Sequence, residues 1–335
     1  MKKIIYILCI FFVISIILNG CKKSETTIKE KEDVAKKNIK TMKIGTLKGP
    51  TGMGMSYMME KDEKGESKLD YSFNIVGAPD QLTSDIINNK IDVAAVPTNL
   101  AAILYTKTKG NIQLLGVNTL GVLYLIENGN TIKNISDLKE KSVISSGKGA
   151  APEYIFQYLI EKNGLDINND VNIEYLTEHS EVAASIVSGK NKLAIIPEPF
   201  VTTVLSKNKD LRIALNFTEE WSKATSESEL PMGVIIVSKK FADENSDSIN
   251  TFMNEYTESV DFVNNNHNKA SEFIKKFDIL QDSNLASKAI SNSSITFIES
   301  KESKDDILKF YEILNDLNPK TIGGSIPDDK FFYEK

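Results

Sequence analysis

The chain has 335 residues, a formal charge of −6, 41% apolar residues and 26% charged residues. That composition belongs to a folded globular protein large enough for two domains, and an acidic chain without a basic patch excludes a nucleic-acid binder. Two cysteines, two histidines and a single arginine, Arg212, exclude a disulfide scaffold, a cysteine-based metal site and an anion pocket built on paired guanidiniums.

Lys2 and Lys3 open the chain and precede an apolar run of 15 residues, Ile4 to Leu18. A membrane span needs ~20 residues, so the run fits the core of a signal peptide, residues 1–20. Leu18-Asn19-Gly20-Cys21 resembles a bacterial lipobox. The resemblance implies cleavage after Gly20 and acylation of Cys21. The other reading is an uncleaved N-terminal anchor, and both place the rest of the chain on the extracytoplasmic face of the membrane. Cleavage would remove Cys9 together with two lysines and no acids, which lowers the charge from −6 to −8. Residues 21–42 are polar, with little apolar periodicity, and read as a tether between lipid and domain.

The folded part begins at Lys43-Ile44-Gly45-Thr46-Leu47-Lys48-Gly49-Pro50-Thr51-Gly52-Met53-Gly54. An apolar strand runs into a loop of glycines, then into a Met-rich helix (Met53, Met55, Met58, Met59) whose spacing makes a core face. Strand, glycine loop, helix is a geometry that aims backbone N–H groups and a positive helix end at a ligand. The glycine order matches neither the dinucleotide nor the P-loop pattern. Tyr71 to Val76 alternates as a strand, Asp80 to Asn88 reads as a helix, and Ile91 to Val96 is a strand stopped by Pro97. Thr98 and Asn99 can cap the helix that follows, Leu100 to Tyr105. Alternating strands and helices predict a mostly parallel sheet.

A shift of 100 residues reproduces this order. Val143-Ile144-Ser145-Ser146-Gly147-Lys148-Gly149 lies under the residues that start at Lys43, and Leu193-Ala194-Ile195-Ile196-Pro197 lies under Val93 to Pro97. The alignment needs no gap from 43 to 104. Two similar lobes are expected: residues 43–120 with 233–335, and residues 121–232. The glycine-interrupted stretch from Ile112 to Ile126 and the segment around Pro231-Met232-Gly233 read as two hinge crossings. Beyond about Asn245 the chain is helical, and the tail from Thr321 to Lys335 reads as a surface strap.

Three stretches carry a family resemblance: Ile44-Gly45-Thr46-Leu47-Lys48-Gly49-Pro50-Thr51-Gly52, Val96-Pro97-Thr98-Asn99 and Ile196-Pro197-Glu198-Pro199-Phe200. Asn216-Phe217-Thr218-Glu219-Glu220-Trp221 adds to them. From residue 43 to the end the chain resembles the NitT/TauT group (nitrate, sulfonate, taurine, thiamine precursor) of ABC transporter substrate-binding lipoproteins. The resemblance implies a two-lobed periplasmic-binding-protein type II fold of the α/β class, each lobe a mostly parallel sheet flanked by helices. It implies a monomer that closes on a small solute and docks on an ABC permease and its ATPase, with no cofactor, no metal and no catalysis. An extracytoplasmic ligand sensor of the same fold is the other reading. Enzymes occur on this fold too, but the one that makes the pyrimidine precursor of thiamine needs a Cys-rich motif absent here.

Ligands of open parallel sheets sit beyond the carboxyl ends of the strands. Four such loops therefore supply the candidate contacts: Thr46, Lys48, Gly49, Thr51 and Gly52; Thr98 and Asn99; Ser145, Ser146, Gly147 and Lys148; and Glu198. The hydroxyls can instead cap helices or turns, and Glu198 either accepts from a cation or amine or braces its proline turn. His179 reads as a surface capping residue, and Phe200 and Trp221 as core aromatics.

Overall fold

The structure, a computed structural model, describes residues 41–334. The signal peptide, Cys21 and nearly all of the tether lie outside these residues. In chain order the strands are β1 (Met42–Leu47), β2 (Tyr71–Val76), β3 (Val93–Pro97), β4 (Ile112–Leu120), β5 (Leu123–Asn128), β6 (Lys141–Ser145), β7 (Val171–Tyr175), β8 (Leu193–Pro197), β9 (Leu211–Asn216), β10 (Pro231–Ser238) and β11 (Ile295–Glu299). They build two sheets, ordered β11-β4-β10-β3-β1-β2 and β7-β6-β8-β5-β9. Each sheet defines one lobe of a two-lobed α/β fold.

Both sheets are mixed, which corrects the expectation of mostly parallel ones. β1 runs parallel to β2 and β3, and β6 runs parallel to β7 and β8. Those strands are joined through helices, and such crossovers return the chain in the same direction. The remaining partners are antiparallel: β10 to β3 and β4, β11 to β4, and β5 to β8 and β9. β4 passes into β5 through Gly121-Val122 without a helix, and β10 is entered from the other sheet after the helix Phe217–Ala224. Strands reached by crossing between lobes are thus free of the local crossover rule. A Cβ added to Gly121 would lie 1.9 Å from Thr218 Oγ1, so the two crossings press on each other where the glycine stands.

The internal repeat is visible in the order of elements, with one correction to its register. Met42 of β1 pairs with Tyr71, whereas Lys141 of β6 pairs with Val171. β2 and β7 are 100 residues apart, so β6 corresponds to β1 at a shift of 99. The alignment therefore needs one gap, and Lys148 stands opposite Gly49, not Lys48. A one-residue slip moves every side chain to the other face of a strand. With the corrected register, buried Ile44 matches buried Val143.

One continuous core joins the lobes behind the cleft. It runs from Leu82, Ile91 and Val96 on the first lobe to Leu125, Phe156 and Trp221 on the second. The helix Lys304–Leu317 lies between them, burying Ile307, Phe310, Tyr311, Ile313 and Leu314 on one helical stripe. The Tyr311 hydroxyl donates to Thr98 O at 2.8 Å, and Phe310 lies 5.8 Å from Trp221 between ring centroids. The Met face is core as expected, with Met53, Met55, Met58 and Met59 all at most 2% exposed. The tail departs from the surface strap. Phe331, Phe332 and Tyr333 are buried, Tyr333 N–H donates to Leu114 O at 3.0 Å, and Ser300 Oγ donates to Tyr333 O.

Candidate functional site

A cleft of about 600 Å³ opens between the two sheets. Its walls are strand ends and helix starts from both lobes, as the carboxyl-end rule requires. Two loops of each lobe were expected there. Six of the candidate residues line it: Lys48, Gly49, Thr51, Asn99, Gly147 and Glu198.

The first loop turns at Gly49, whose φ of 107 suits glycine and strains other residues. Gly49 O accepts from Gly52 and Met53 N–H, which starts the short helix Pro50–Met53. Gly49 faces Pro199 of the other lobe: a Cβ on it would lie 3.9 Å from the Pro199 ring. Lys48 Nζ is 2.6 Å from Asp278 Oδ2, in an exposed ion pair. Thr51 Oγ1 donates to Leu47 O at 3.4 Å. In the second loop, Asn99 Nδ2 donates to Thr321 O at 3.3 Å.

The other six candidates sit behind or beside the wall. Thr46 and Thr98 are buried, and among the described residues their hydroxyls have no partner. Gly52 is packed, and a Cβ there would lie 2.4 Å from Leu47 O. Ser145 and Ser146 are buried. Ser145 Oγ donates to Ser146 O, and Ser146 Oγ bonds to His179 Nδ1. Lys148 is exposed, with Nζ 5.9 Å from the Tyr175 ring centroid.

Glu198 is the most enclosed carboxylate of the lining, 3% exposed. Its Oε2 accepts from Thr202 N–H at 3.1 Å and its Oε1 from Thr202 Oγ1 at 2.9 Å. These bonds fold it back over the start of the helix Phe200–Lys207. Burial holds its carboxyl above the usual range, against hydrogen bonds from Thr202 and the Asn292 side chain. Asn292 also accepts at its carbonyl from Tyr124 Oη, at 3.1 Å. Asn292 precedes β11 of the first sheet, and Tyr124 and Glu198 belong to the second, so these bonds cross between lobes. A raised carboxyl contributes stability below its ordinary 4.5 and loses it as pH rises through the folded value. Glu198→Gln is therefore expected to match or exceed the parent's stability at pH 7 and to flatten its decline above pH 4.5. Unfolding curves at pH 4 and pH 7 check this, and a loss of more than about 1 kcal/mol at pH 7 would show that the charge itself is needed.

Wall residues outside the candidates include Asp80, Thr119, Glu178, His179 and Phe200. His179 lies 5.5 Å from Phe200 between ring centroids. Burial lowers its pKa from the ordinary 6.5, against the opposing charge of Glu178. The loops after β2 and β7 place Asp80 and His179, and the strand-end rule applied to those two loops as well would have found them. Trp221 is wholly buried, as expected of core, with Nε1 donating to Glu229 O at 3.1 Å. Among the described residues no group of three or more His, Cys, Asp or Glu side chains is placed to hold a metal.

Residues 66–281 match the model of a family described as ABC transporter, phosphonate, periplasmic substrate-binding protein. The chain belongs to this family. YtlA of Bacillus subtilis (strain 168) is 20% identical over 210 residues, a match that covers 61% of this chain and 60% of YtlA, less than two thirds of that relative. An ABC transporter structure from Parabacteroides distasonis superposes with a TM-score of 0.75 at 23% identity, covering 88% of this chain and 99% of the other. The periplasmic aliphatic sulphonate binding protein SsuA of Escherichia coli does so with a TM-score of 0.67 at 16% identity, covering 88% and 92%. At these identities the likeness is one of fold, and it is the two-lobed fold with the cleft described above.

Proposed function

We propose that this protein is the solute receptor of an ABC importer. It captures a small molecule in the cleft, the lobes close over it by hinge motion, and the closed form delivers it to a membrane permease driven by its ATPase. The observation that carries the reading is the cleft itself, where strand ends of both sheets converge in a chain of this family. The lobes divide at the two crossings, residues 43–120 with 233–335 against 121–232. The Ile196-Pro197-Glu198-Pro199-Phe200 stretch supports reading the receptor as one of the NitT/TauT type. The protein acts as a monomer, by binding and closure without bond chemistry.

Thermal unfolding of residues 22–335 against a panel of sulfonates, phosphonates, nitrate, amines and heterocycles tests the receptor reading. One solute class is expected to stabilise the fold, by about 2.7 kcal/mol at a hundredfold excess over Kd. A solute found bound away from the cleft would overturn it. Anchoring is assigned to acylated Cys21 after removal of residues 1–20, because a lipid-held receptor stays beside its permease. Stable anchoring takes two lipid signals. Cys21→Ser is expected to release the protein from membranes or to block its processing, and a mature-size product still in the membrane fraction would sink the assignment.

A further inference from the structure

We infer that the cleft takes a non-anionic, largely apolar small molecule, an uncharged or amine-bearing ring or chain compound, and refuses fully ionised phosphonate and sulfonate heads. The inference rests on the receptor reading and names its substrate class. The charges on the wall come first. Among the described residues Lys48 is its one cation, against the carboxylates of Asp80, Glu178 and Glu198. The Lys48 ammonium is already matched by Asp278. The chain's sole arginine, Arg212, is bound to Glu127 and to the carbonyls of Gly129 and Ile132.

Helix starts are the usual second source of anion affinity, through free N–H groups and the positive end of the dipole. Among the described residues six helices begin at this cleft: Pro50–Met53, Asp80–Ile87, Thr98–Lys107, Ala151–Lys162, His179–Val187 and Phe200–Lys207. Five of them carry proline at the N-cap or in the first two positions, and proline has no N–H to offer. Four carry a carboxylate of the chain itself. Asp80 lies in the first turn of its helix. Glu153 accepts from Gly149 N–H. Glu178 accepts from the third residue of its own helix. Glu198 accepts from Thr202 N–H. Two of these helix starts already give an N–H to the protein's own carboxylate, at Glu178 and Glu198, and Asp80 and Glu153 put negative charge at two more, so an added anion there is repelled.

The rest of the wall is mostly apolar, with Thr51, Thr83, Asn99, Thr119 and Ser180 as its uncharged polar side chains. Six prolines, the Met232 side chain and the Phe200 ring face the space. The His179 ring beside Phe200 is kept neutral by burial at physiological pH and adds a polar edge without a charge. Such a lining favours an apolar body with few polar groups.

Matched probes decide the matter. The full chain is titrated calorimetrically at pH 7.5 with methyl, butyl and benzyl compounds, each as amine, alcohol, sulfonate and phosphonate. The amine or alcohol of at least one body is expected to bind about tenfold or more tightly than its sulfonate and phosphonate. The paired variant Asp80→Asn with Glu178→Gln, its folding checked by circular dichroism, is expected to narrow that ratio by about tenfold. Tighter binding of the sulfonate or phosphonate would overturn the class while leaving the receptor reading in place, and so would a ratio that the paired variant does not move. Failure of every probe would also overturn the class. The receptor reading would then fall only if the wider panel placed no solute in the cleft.

Discussion

Replacing Trp221 by alanine is expected to cost about 3–5 kcal/mol of folding stability. Trp221 is fully buried in the helix Phe217–Ala224, and it stands where elements of both crossings meet. Its ring lies 5.3 Å from Tyr158 and 5.8 Å from Phe310 between centroids. Tyr158 belongs to the helix Ala151–Lys162 of the second lobe, and Phe310 to the C-terminal helix Lys304–Leu317. Removing the indole opens a void that two rigid helices can only partly fill, and it leaves Glu229 O without its Nε1–H donor. The void accounts for most of the loss and the hydrogen bond for about 1 kcal/mol of it. Trp221→Phe should therefore recover more than half of the deficit, since a ring still bridges the helices. Denaturant unfolding of the three proteins checks both figures. A deficit below about 1 kcal/mol for alanine would mean that the seam behind the cleft repacks freely, contrary to dense packing.

The parts of this fold legible in the sequence are those written in local chemistry. Glycine and proline punctuate the strand ends at Gly49, Pro97, Gly147 and Pro197, and a repeat of about 100 residues announces two lobes. The corrections all come from geometry that local chemistry does not encode. Val143 and Ile144 are both apolar and both buried, so composition cannot tell a shift of 100 from one of 99. Strand direction at β10 depends on the route of the chain between lobes, not on Val234-Ile235-Ile236-Val237. The face of a strand-end side chain depends on register, and so Thr46, Ser145 and Ser146 are buried behind the wall while Lys48 and Gly147 line it. The aromatic tail is held by pairing with Leu114, a partner more than 200 positions away that no local pattern signals.

Arg212→Ala is expected to cost about 3 kcal/mol at pH 7, because it strands a buried charge. Glu127 is 2% exposed. Its Oε1 accepts from Thr131 N–H at 2.6 Å and Thr131 Oγ1 at 2.7 Å, and its Oε2 accepts from Arg212 Nη2 at 2.5 Å. Burial alone would raise the carboxyl. Hydrogen bonds from Thr131, Ile132 and Arg212 outweigh it and hold the group below its ordinary 4.5. A lowered carboxyl contributes stability that is present above pH 4.5 and lost as pH falls through the folded value. The guanidinium accounts for one share of that lowering, so the variant should lose part of the acid-labile stability outright. Its deficit should then shrink as both proteins are taken from pH 7 toward pH 3, where Glu127 becomes neutral. Adding Glu127→Gln to the variant should restore part of the loss at pH 7, since an amide strands no charge and can still accept from Thr131. The half-exposed edge of Arg212, whose side chain is 31% accessible, keeps the expected cost at the lower end of the range for buried pairs. A deficit under about 1 kcal/mol, or one that stays constant across that pH range, would class the pair with ordinary surface ion pairs. The arginine would then hold the β5–β9 edge through its contacts to the carbonyls of Gly129, Ile132 and Ile213.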